Sequence, residues 1–466
     1  MRRRALALLA LLALVGAGCG ARLSSKQRGE ALLLYRDRSG PAAEFASSTR
    51  GGAGPVLGGA STTGGDISAG PAGGAASAAS CTGAARGASD VGVSANEIRL
   101  GTVSDVTGVV PGIALSTFQG MQAVAAYINS QGGICGRRVT TDLRDDQTTA
   151  SGNKSATQDA CANDFALVGS FSAFDDGGAA TVNRMQCPDM SAFTTTAERG
   201  AANAYSYPIY PNRPDYFVMA SANYLARTHP DVVKNGGIIW LDAGVAAVNA
   251  RARIDGYSRA GFRFVYQKAA QVLETSYTPF VIDMKQHQPP VKFVTMVADG
   301  QSIARLLQAM KQQNWYPEVM QFDLQVYTPD FLELAQGTAE GAMFWLNTAM
   351  FEDSAGNPEL RLYQEWLQRV DPGAKPDTFG LFAWSAGRLF QQLATKIGPD
   401  LTRAKLMAAL ATVTAWTGHG LHPPMDIAHR LPSGCEVMGV IRNERYVRQY
   451  PGTGFDCRDG GVVHLG

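Results

Sequence analysis

Four groups of hydroxyl-bearing and acidic residues in this chain have the chemistry to hold a small charged ligand. Each group directly follows an apolar segment, and in chain order they contain Ser104 with Asp105, Ser170 with Ser172, the three threonines 194–196, and Asp323. Hydroxyls and the N–H groups of helix starts bind carboxylates, and a carboxylate such as that of Asp323 pairs with an ammonium group. Together these groups could hold a zwitterion, although Ser, Thr and Asp also serve as helix caps.

An enzyme or a metal site is the alternative. The segment TGHGLHPPMDIAH contains His419, His422 and His429, but two prolines interrupt it and no Cys or Glu completes a familiar ligand spacing. The sequence has no G-x-S-x-G elbow, phosphate-binding loop or H-E-x-x-H motif, and no G-x-G-x-x-G follows its first predicted strand. We therefore predict no catalytic residue, metal or cofactor, and a secreted hydrolase of another type remains the less favoured interpretation.

An alternation of predicted strands and helices, beginning near Val91, positions the four groups. The first series consists of strands at 97–103, 138–143, 165–169 and 190–193 and helices at 116–130, 150–164 and 178–185. A second series follows between residues 214 and 345, and residues 436–450 are predicted to form a hairpin. This alternation predicts an α/β fold with helices on both faces of parallel sheets. Ligands bind such sheets beyond the carboxyl ends of the strands, where the four groups lie.

Several segments of the first series follow one another in a recognisable order: EIRLGTVSDVTG, FQGMQAVAAYINSQGGICGRRV, RDDQ, ALVGSFS and MSAFTTTAE. Their series resembles the first domain of type I periplasmic binding proteins, the leucine/isoleucine/valine-binding family of ABC transporter substrate-binding lipoproteins. The resemblance covers about residues 95–450 and is weaker after Glu198. It implies two doubly wound parallel-sheet lobes joined by crossover hinge segments. We expect lobe 1 at 91–212 with a return segment at about 346–400, and lobe 2 at 213–345 with the C-terminal segment 401–466.

The resemblance also implies roles for single residues in a cleft between the lobes. Ser172 or Ala173 would bind the carboxylate of an amino acid, and if Ala173 is the true match only its backbone N–H remains. The ammonium group would be bound by the carbonyl of Thr194, the hydroxyl of Thr196 and the carboxylate of Asp323. Phe379 would line the pocket for the ligand's side chain.

Two departures from the family pattern concern this pocket. The loop after Asp242 lacks the aromatic residue often found there, and Ile113 stands where the first loop often has another. The pocket has therefore changed, and leucine itself is not supported as the ligand. Aromatic residues that could substitute, or that instead pack in the core or hinge, are Tyr205, Tyr207, Tyr210 and Trp345.

The N-terminus predicts export. Three arginines at 2–4 precede an apolar run at 5–15 and the small residues 16–18, which is the pattern of a secretion signal. Cys19 follows and resembles the lipidated cysteine of bacterial lipoproteins, although Gly16 stands where that motif favours Leu. We expect a lipid anchor at Cys19 on the outer face of the cytoplasmic membrane, with free secretion as the alternative. Residues 20–90, rich in Gly, Ala and Ser, are predicted to form a flexible spacer.

Six cysteines remain after Cys19, and an even number in an oxidising compartment suggests disulfides whose connectivity the count leaves open. The resemblance favours the pairs Cys161–Cys187, Cys435–Cys457 and Cys81–Cys135.

The net charge of +1 is spread along the chain and shows no basic stripe, so we predict no nucleic-acid partner. The resemblance implies a monomer that captures an amino acid or related compound by lobe closure and presents the closed state to an ABC permease. A sensing receptor that presents the same closed state to a signalling partner is the alternative.

Overall fold

A computed structural model describes residue 81 and residues 87–108, 111–242 and 244–466. The secretion signal at 1–19, the lipidation site Cys19 and residues 20–80 of the expected spacer lie outside the described residues. No helix in the described part of the chain is both long enough and apolar enough to cross a membrane.

The first sheet has four parallel strands in the order β2-β1-β3-β4. The strands are β1 (Glu97–Ser104), β2 (Arg138–Asp145), β3 (Ala166–Val168) and β4 (Asp189–Met190). The helices between them are α1 (Leu115–Ser130), α2 (Ala150–Asn163) and α3 (Asp176–Met185). This series confirms the predicted alternation, because crossover helices are what bring successive strands parallel.

Helix α1 shows how the sequence forms these elements. Its apolar residues recur three and four positions apart, so that Met121, Val124 and Ile128 are buried on one face. Gly133 follows the helix with φ of 75°, and a Cβ there would lie 2.0 Å from the carbonyl oxygen of Arg137. Only glycine therefore fits the turn that ends α1 and leads into β2.

The second sheet has seven strands in the order β14-β13-β12-β11-β10-β8-β9. Its strands are β8 (Gly236–Leu241), β9 (Phe264–Ala270), β10 (Phe293–Val297), β11 (Val319–Phe322), β12 (Met343–Leu346), β13 (Val437–Arg442) and β14 (Arg445–Tyr450). Strands β8 to β12 pair in parallel, whereas β13 and β14 are antiparallel. The predicted terminal hairpin is β13–β14, and its turn residues Asn443 and Glu444 both have positive φ, as a tight two-residue hairpin requires.

Helices α4 (Ala220–Thr228), α5 (Gly244–Arg259), α6 (Thr278–Gln286), α7 (Gly300–Gln312) and α8 (Phe331–Ala335) belong to the second series. Two short two-stranded sheets lie between the series: β5 (Phe193–Thr194) with β6 (Tyr210–Pro211), and β7 (Tyr216–Val218) with β15 (Val462–His464). Short 3-10 turns occupy Leu324–Val326 and Phe351–Gly356.

The chain returns to the first sheet through α9 (Pro358–Val370), α10 (Thr378–Ile397) and α11 (Arg403–Leu410). Helices α9 and α10 both pack against α1, and a Cβ on Gly120 of α1 would lie 2.4 Å from the carbonyl oxygen of Gly380. We call the first sheet with α1–α3 and α9–α11 the first lobe, and the second sheet with α4–α8 the second lobe. Leu406, Trp416 and Ile427 belong to the first lobe's core cluster. The segment 401–466, expected with the second lobe, is therefore divided, because only its later part supplies β13 and β14.

Three disulfides join Cys81 to Cys135, Cys161 to Cys187, and Cys435 to Cys457. These are the pairs that the resemblance favoured.

The start of the described chain is fastened to the first lobe by a buried guanidinium. Arg137 donates hydrogen bonds to the carbonyl oxygens of Ser94 at 2.8 Å, Pro399 at 2.7 Å and Gly87 at 3.1 Å. Arg137 precedes β2, and residues 87–94 precede β1, so this attachment lies at the amino ends of the strands.

Candidate ligand-binding site

The loops after β1 and β3 are joined by a buried carboxyl group. Asp105 accepts hydrogen bonds from the Ser172 hydroxyl at 2.9 Å and from the Ala173 backbone N–H at 2.7 Å. Both Asp105 and Ser172 are buried. Parallel pairing of β1 with β3 brings these loops together, and a bridge between Ser104 and Phe171 extends that pairing. The two residues expected to bind a ligand carboxylate therefore already have a carboxyl partner within the protein.

Asp105 also lies against a second buried acid, Asp146, which follows β2. Burial, together with the hydrogen bond and charge of Asp146, raises the pKa of Asp105 to about 8 against the opposing donors of Ala173 and Ser172. Near neutral pH the Asp105 carboxyl group therefore holds a proton, because a second buried charge beside Asp146 would be costly.

The threonine turn after β5 is held by another buried acid. Asp175 accepts hydrogen bonds from the N–H of Thr195 at 2.6 Å, the N–H of Thr196 at 3.1 Å and the Thr196 hydroxyl at 2.5 Å. Burial raises the pKa of Asp175 to about 7 in spite of these donors. The hydroxyl of Thr194 is buried and has no hydrogen-bond partner among the described residues. The structure thus brings Ser172, Thr194 and Thr196 to one edge of the first lobe.

Asp323 follows β11 at the corresponding edge of the second lobe and pairs with a cation of the same lobe. Its carboxylate lies 2.9 Å from the guanidinium of Arg253, and its other oxygen accepts the N–H of Gln325 at 3.1 Å. Arg253 also donates to the Thr295 hydroxyl and to the carbonyl oxygen of Met296, each at 3.3 Å. The carboxylate expected to bind a ligand ammonium is therefore already neutralised.

Aromatic side chains occupy the space between these polar edges. Phe171 and Phe379 stack with their ring centroids 4.1 Å apart, and Phe193 stacks on Tyr210 at 4.8 Å. Phe193 also meets Phe171 and Phe379 edge-on, at 5.6 Å and 5.8 Å. We call these four residues the aromatic cluster. It contains Phe379, the residue expected to line the pocket.

Two members of the aromatic cluster, with Ala114 of the first lobe, are buried in the core of the second lobe. Phe171, Phe379 and Ala114 belong to one hydrophobic cluster with Leu241 and Leu324, which follow or end strands of the second sheet. The carboxyl edges of the two sheets therefore face each other across the aromatic cluster. Burial, with the charges of Glu436 and Asp323, raises the pKa of Tyr210, so that its phenol is neutral beside these acids.

A polar bridge connects the lobes beside the aromatic cluster. The amide nitrogen of Asn212 donates to the carbonyl oxygen of Thr195 at 2.9 Å and to the amide oxygen of Asn249 at 3.2 Å. Asn249 lies on α5 of the second lobe, whereas Thr195 belongs to the first. This bridge can form only when the two edges are close together.

The other sequence candidates lie in different surroundings. Ile113 packs against the second-lobe cluster, whereas Tyr205, Tyr207 and Trp345 pack against three other core clusters. The buried His422 bonds the Ser385 hydroxyl at 2.8 Å and the Pro423 carbonyl at 3.0 Å, and burial lowers its pKa to about 4. The described residues contain no group of three or more His, Cys, Asp or Glu side chains arranged to hold a metal ion.

Sequence reasoning missed the partners that decide what the edges can bind. Arg253 lies on α5, 70 positions before Asp323, and no local pattern marks it as that residue's partner. Asp175 lies among the small and acidic residues after β3 and could have been suspected only as a helix cap. Phe171 and Phe193 were visible as aromatic residues at strand ends, which is a signal for a pocket lining.

Solved structures of solute-binding proteins resemble this fold, at identities too low to show more than the fold. A fatty acid ABC transporter substrate-binding protein from Thermomonospora curvata has a TM-score of 0.65 and 17% identity, and the match covers 77% of this chain and 92% of that one. A possible leucine/isoleucine/valine-binding protein from Rhodopirellula baltica has a TM-score of 0.65 and 13% identity, and the match covers 76% of this chain and 96% of that one. The branched-chain amino acid transporter substrate-binding protein of Streptococcus pneumoniae, in complex with isoleucine, has a TM-score of 0.64 and 14% identity. That match covers 76% of this chain and 100% of the other.

A comparison with curated proteins finds no match. The sequence profile of the family described as "Periplasmic binding protein" matches residues 97–438, which is most of the chain and includes the first sheet and strands β8 to β12 of the second. That family consists of binding proteins that act outside the cytoplasm. With two facing α/β lobes and this match, the chain belongs to the periplasmic binding protein family and has the fold of its type I members.

Proposed function

We propose that this protein captures a small organic ligand between its two lobes outside the cytoplasm and delivers it to an ABC importer. The observation that carries the proposal is the burial of Phe171 and Phe379, from the first lobe, among core residues of the second. Such a surface is buried only while the lobes are together. A ligand that contacts both edges therefore favours the closed state, and its binding free energy drives the closure.

The candidate residues have separate parts in this proposal. Phe379 lines the ligand pocket. The first-lobe wall of this pocket is the edge that contains Ser172, Ala173, Thr194 and Thr196. Asp323 lies in the opposite wall. The acids of these walls accept hydrogen bonds from hydroxyl and backbone N–H groups of the protein or pair with Arg253, so that the walls are held in place around the pocket.

The remaining expectations complete the proposal. A permease in the cytoplasmic membrane would recognise the closed lobes, and a lipid at Cys19 would keep the protein beside it as a monomer. Solved structures with this fold include a fatty acid ABC transporter substrate-binding protein and a branched-chain amino acid transporter substrate-binding protein, which supports transport of a small organic compound. Mass spectrometry of the mature N-terminus tests the anchor: an unmodified residue at the cleavage site would show free secretion.

Ligand-induced closure can be tested on two phenylalanines of the same helix. Phe379 of α10 meets the second lobe, whereas Phe390, also buried on α10, packs in the core of the first lobe. We expect Phe379→Leu to weaken ligand binding in calorimetry and to reduce compaction on ligand addition in small-angle X-ray scattering. The matched Phe390→Leu control should lower thermal stability but leave both readouts unchanged. Equal effects of the two substitutions on binding would contradict a site at the lobe junction.

A further inference from the structure

The anion-binding donors of the first-lobe edge are bonded to carboxyl groups of the protein. The Ser172 hydroxyl and the Ala173 N–H donate to Asp105, and the N–H groups of Thr195 and Thr196 donate to Asp175. A ligand carboxylate that reached these donors would have to displace a buried carboxyl group and remain beside it. Acids that share a buried site repel each other. This edge is therefore poorly suited to an anionic group of a ligand.

The cation-binding acid of the second-lobe edge is also paired internally. The side chains of Arg253 and Asp323 are only 10% and 13% exposed and lie 2.9 Å apart. The guanidinium is further held by Thr295 and Met296, so an ammonium group would compete with a cation that has three partners. Displacing the guanidinium would leave it buried without a counter-ion, which is costly.

What remains between the two edges is apolar. Phe171 and Phe379 of the aromatic cluster share one apolar cluster with Ala114, Leu241 and Leu324, and the neutral phenol of Tyr210 is the polar group that the aromatic cluster contains. A hydrocarbon or aromatic ring gains free energy from contact with such a surface without any polar partner. A zwitterion would instead lose its hydration at both charged groups, and among the candidate residues only the neutral Thr194 hydroxyl is left without a partner to receive one of them.

We propose that the ligand of this cleft is an apolar compound that lacks the ammonium and carboxylate pair of an amino acid. The inference rests on the proposed function, since it names the chemical class that the lobes capture. Asp105 and Arg253 are the specificity-determining residues. Asp105 binds the donors that the carboxylate of an amino acid would need, and Arg253 binds the Asp323 carboxylate that its ammonium group would need.

Matched ligands distinguish the classes. Leucine, 4-methylpentanoic acid and 4-methylpentan-1-ol share one hydrocarbon skeleton, as do phenylalanine, 3-phenylpropionic acid and 3-phenylpropan-1-ol. With protein stripped of co-purified compounds by unfolding and refolding, we expect calorimetry to show that the alcohol binds at least about tenfold tighter than the amino acid and tighter than the deaminated acid, which carries a carboxylate. Tighter binding of leucine or phenylalanine would overturn the inference while supporting the proposed function.

Compounds that co-purify with the native protein provide an independent readout. We expect native mass spectrometry, followed by extraction, to identify an apolar compound, whereas a bound amino acid would overturn the inference. If no compound co-purifies and none of the six ligands binds, both the inference and the proposed function are contradicted.

A gain of binding tests the role of Arg253 directly. Arg253→Met removes the internal cation and leaves the Asp323 carboxylate available. We expect this variant to bind isoamylamine, an apolar amine, at least about tenfold tighter than the wild type does. The R253M/D323L double variant lacks both charges and should lose that gain. If R253M folds but shows no gain, Arg253 does not determine specificity; if it does not fold, the ligand comparison in the wild type decides the inference.

Discussion

Replacing Asp105 by Asn is expected to stabilise the protein at neutral pH and to reduce the dependence of its stability on pH. Burial, together with the neighbouring Asp146, raises the pKa of Asp105 to about 8. In an unfolded chain the pKa of Asp is about 3.9. Between these two values the folded protein holds a proton that the unfolded chain has released. The free energy of unfolding therefore falls as pH rises through this window.

The size of this change in the free energy of unfolding follows from the one proton that Asp105 holds in the folded protein. A full proton difference changes the free energy of unfolding by about 1.4 kcal/mol per pH unit, so the wild type should lose about 2.7 kcal/mol relative to D105N between about pH 5 and pH 7. Asparagine can keep both contacts, because its amide oxygen in the Oδ2 position can accept from the Ala173 N–H while its NH2 group in the Oδ1 position donates to the Ser172 hydroxyl. Other acids with raised pKa values, such as Asp175, are present in both proteins and cancel in the comparison.

Urea unfolding at several pH values, followed by circular dichroism, measures this difference. Asp145, one residue before Asp146, provides a control of opposite sign. Burial would raise its pKa, but the hydroxyl and N–H of Thr107 and two further backbone donors outweigh burial and lower it. D145N should therefore lose stability at neutral pH, and its deficit should shrink as pH falls below about 4. Parallel curves for D105N and the wild type between about pH 5 and pH 7 would refute the conclusion that the folded protein holds a proton on Asp105.

Three other perturbations have expected outcomes. Arg253→Met leaves the Asp323 carboxylate buried without its cation and should lower the free energy of unfolding by about 3–5 kcal/mol in urea, most of which R253M/D323L should recover. Removing the Cys161–Cys187 disulfide, which closes a separation of 26 residues, should cost about 3.5 kcal/mol in the same assay and leave calorimetric ligand affinity unchanged. Burial lowers the pKa of His422 to about 4, so wild-type stability should fall as pH drops below about 6.5, and H422Q should show a smaller fall.

Local patterns were sufficient to predict most elements of the fold. Helix α1 was expected at 116–130 and spans Leu115–Ser130, because its apolar spacing and the two glycines after it agree. The alternation of strands and helices likewise predicted parallel sheets, since a helix that can cross a sheet face follows each of β1–β3 and β8–β10. Residues 401–427 were expected in the second lobe but contribute to the core of the first. Their sequence contains no local pattern that indicates against which sheet they pack.

The candidate site was predictable only in part. Strand ends locate Ser172, Thr196 and Asp323 at the cleft edges, since sheet topology brings those ends together. What the sequence could not supply was the bonding among them, which depends on residues distant along the chain. Arg253 meets Asp323 only because α5 packs near the ends of β10 and β11, and that packing is a tertiary property.

The attachment of residues 87–94 to the first lobe determines how the protein responds to a mechanical load. A pull on the chain ahead of Cys81 passes through the disulfide to Cys135 and through Arg137 into the amino ends of β1 and β2. None of these contacts involves the second sheet, so the load is borne by the first lobe and is not applied across the cleft. If the protein were immobilised on a surface through its N-terminus, its first lobe would be fixed while the second lobe could still move. The position of a label on the second lobe would then report lobe closure directly.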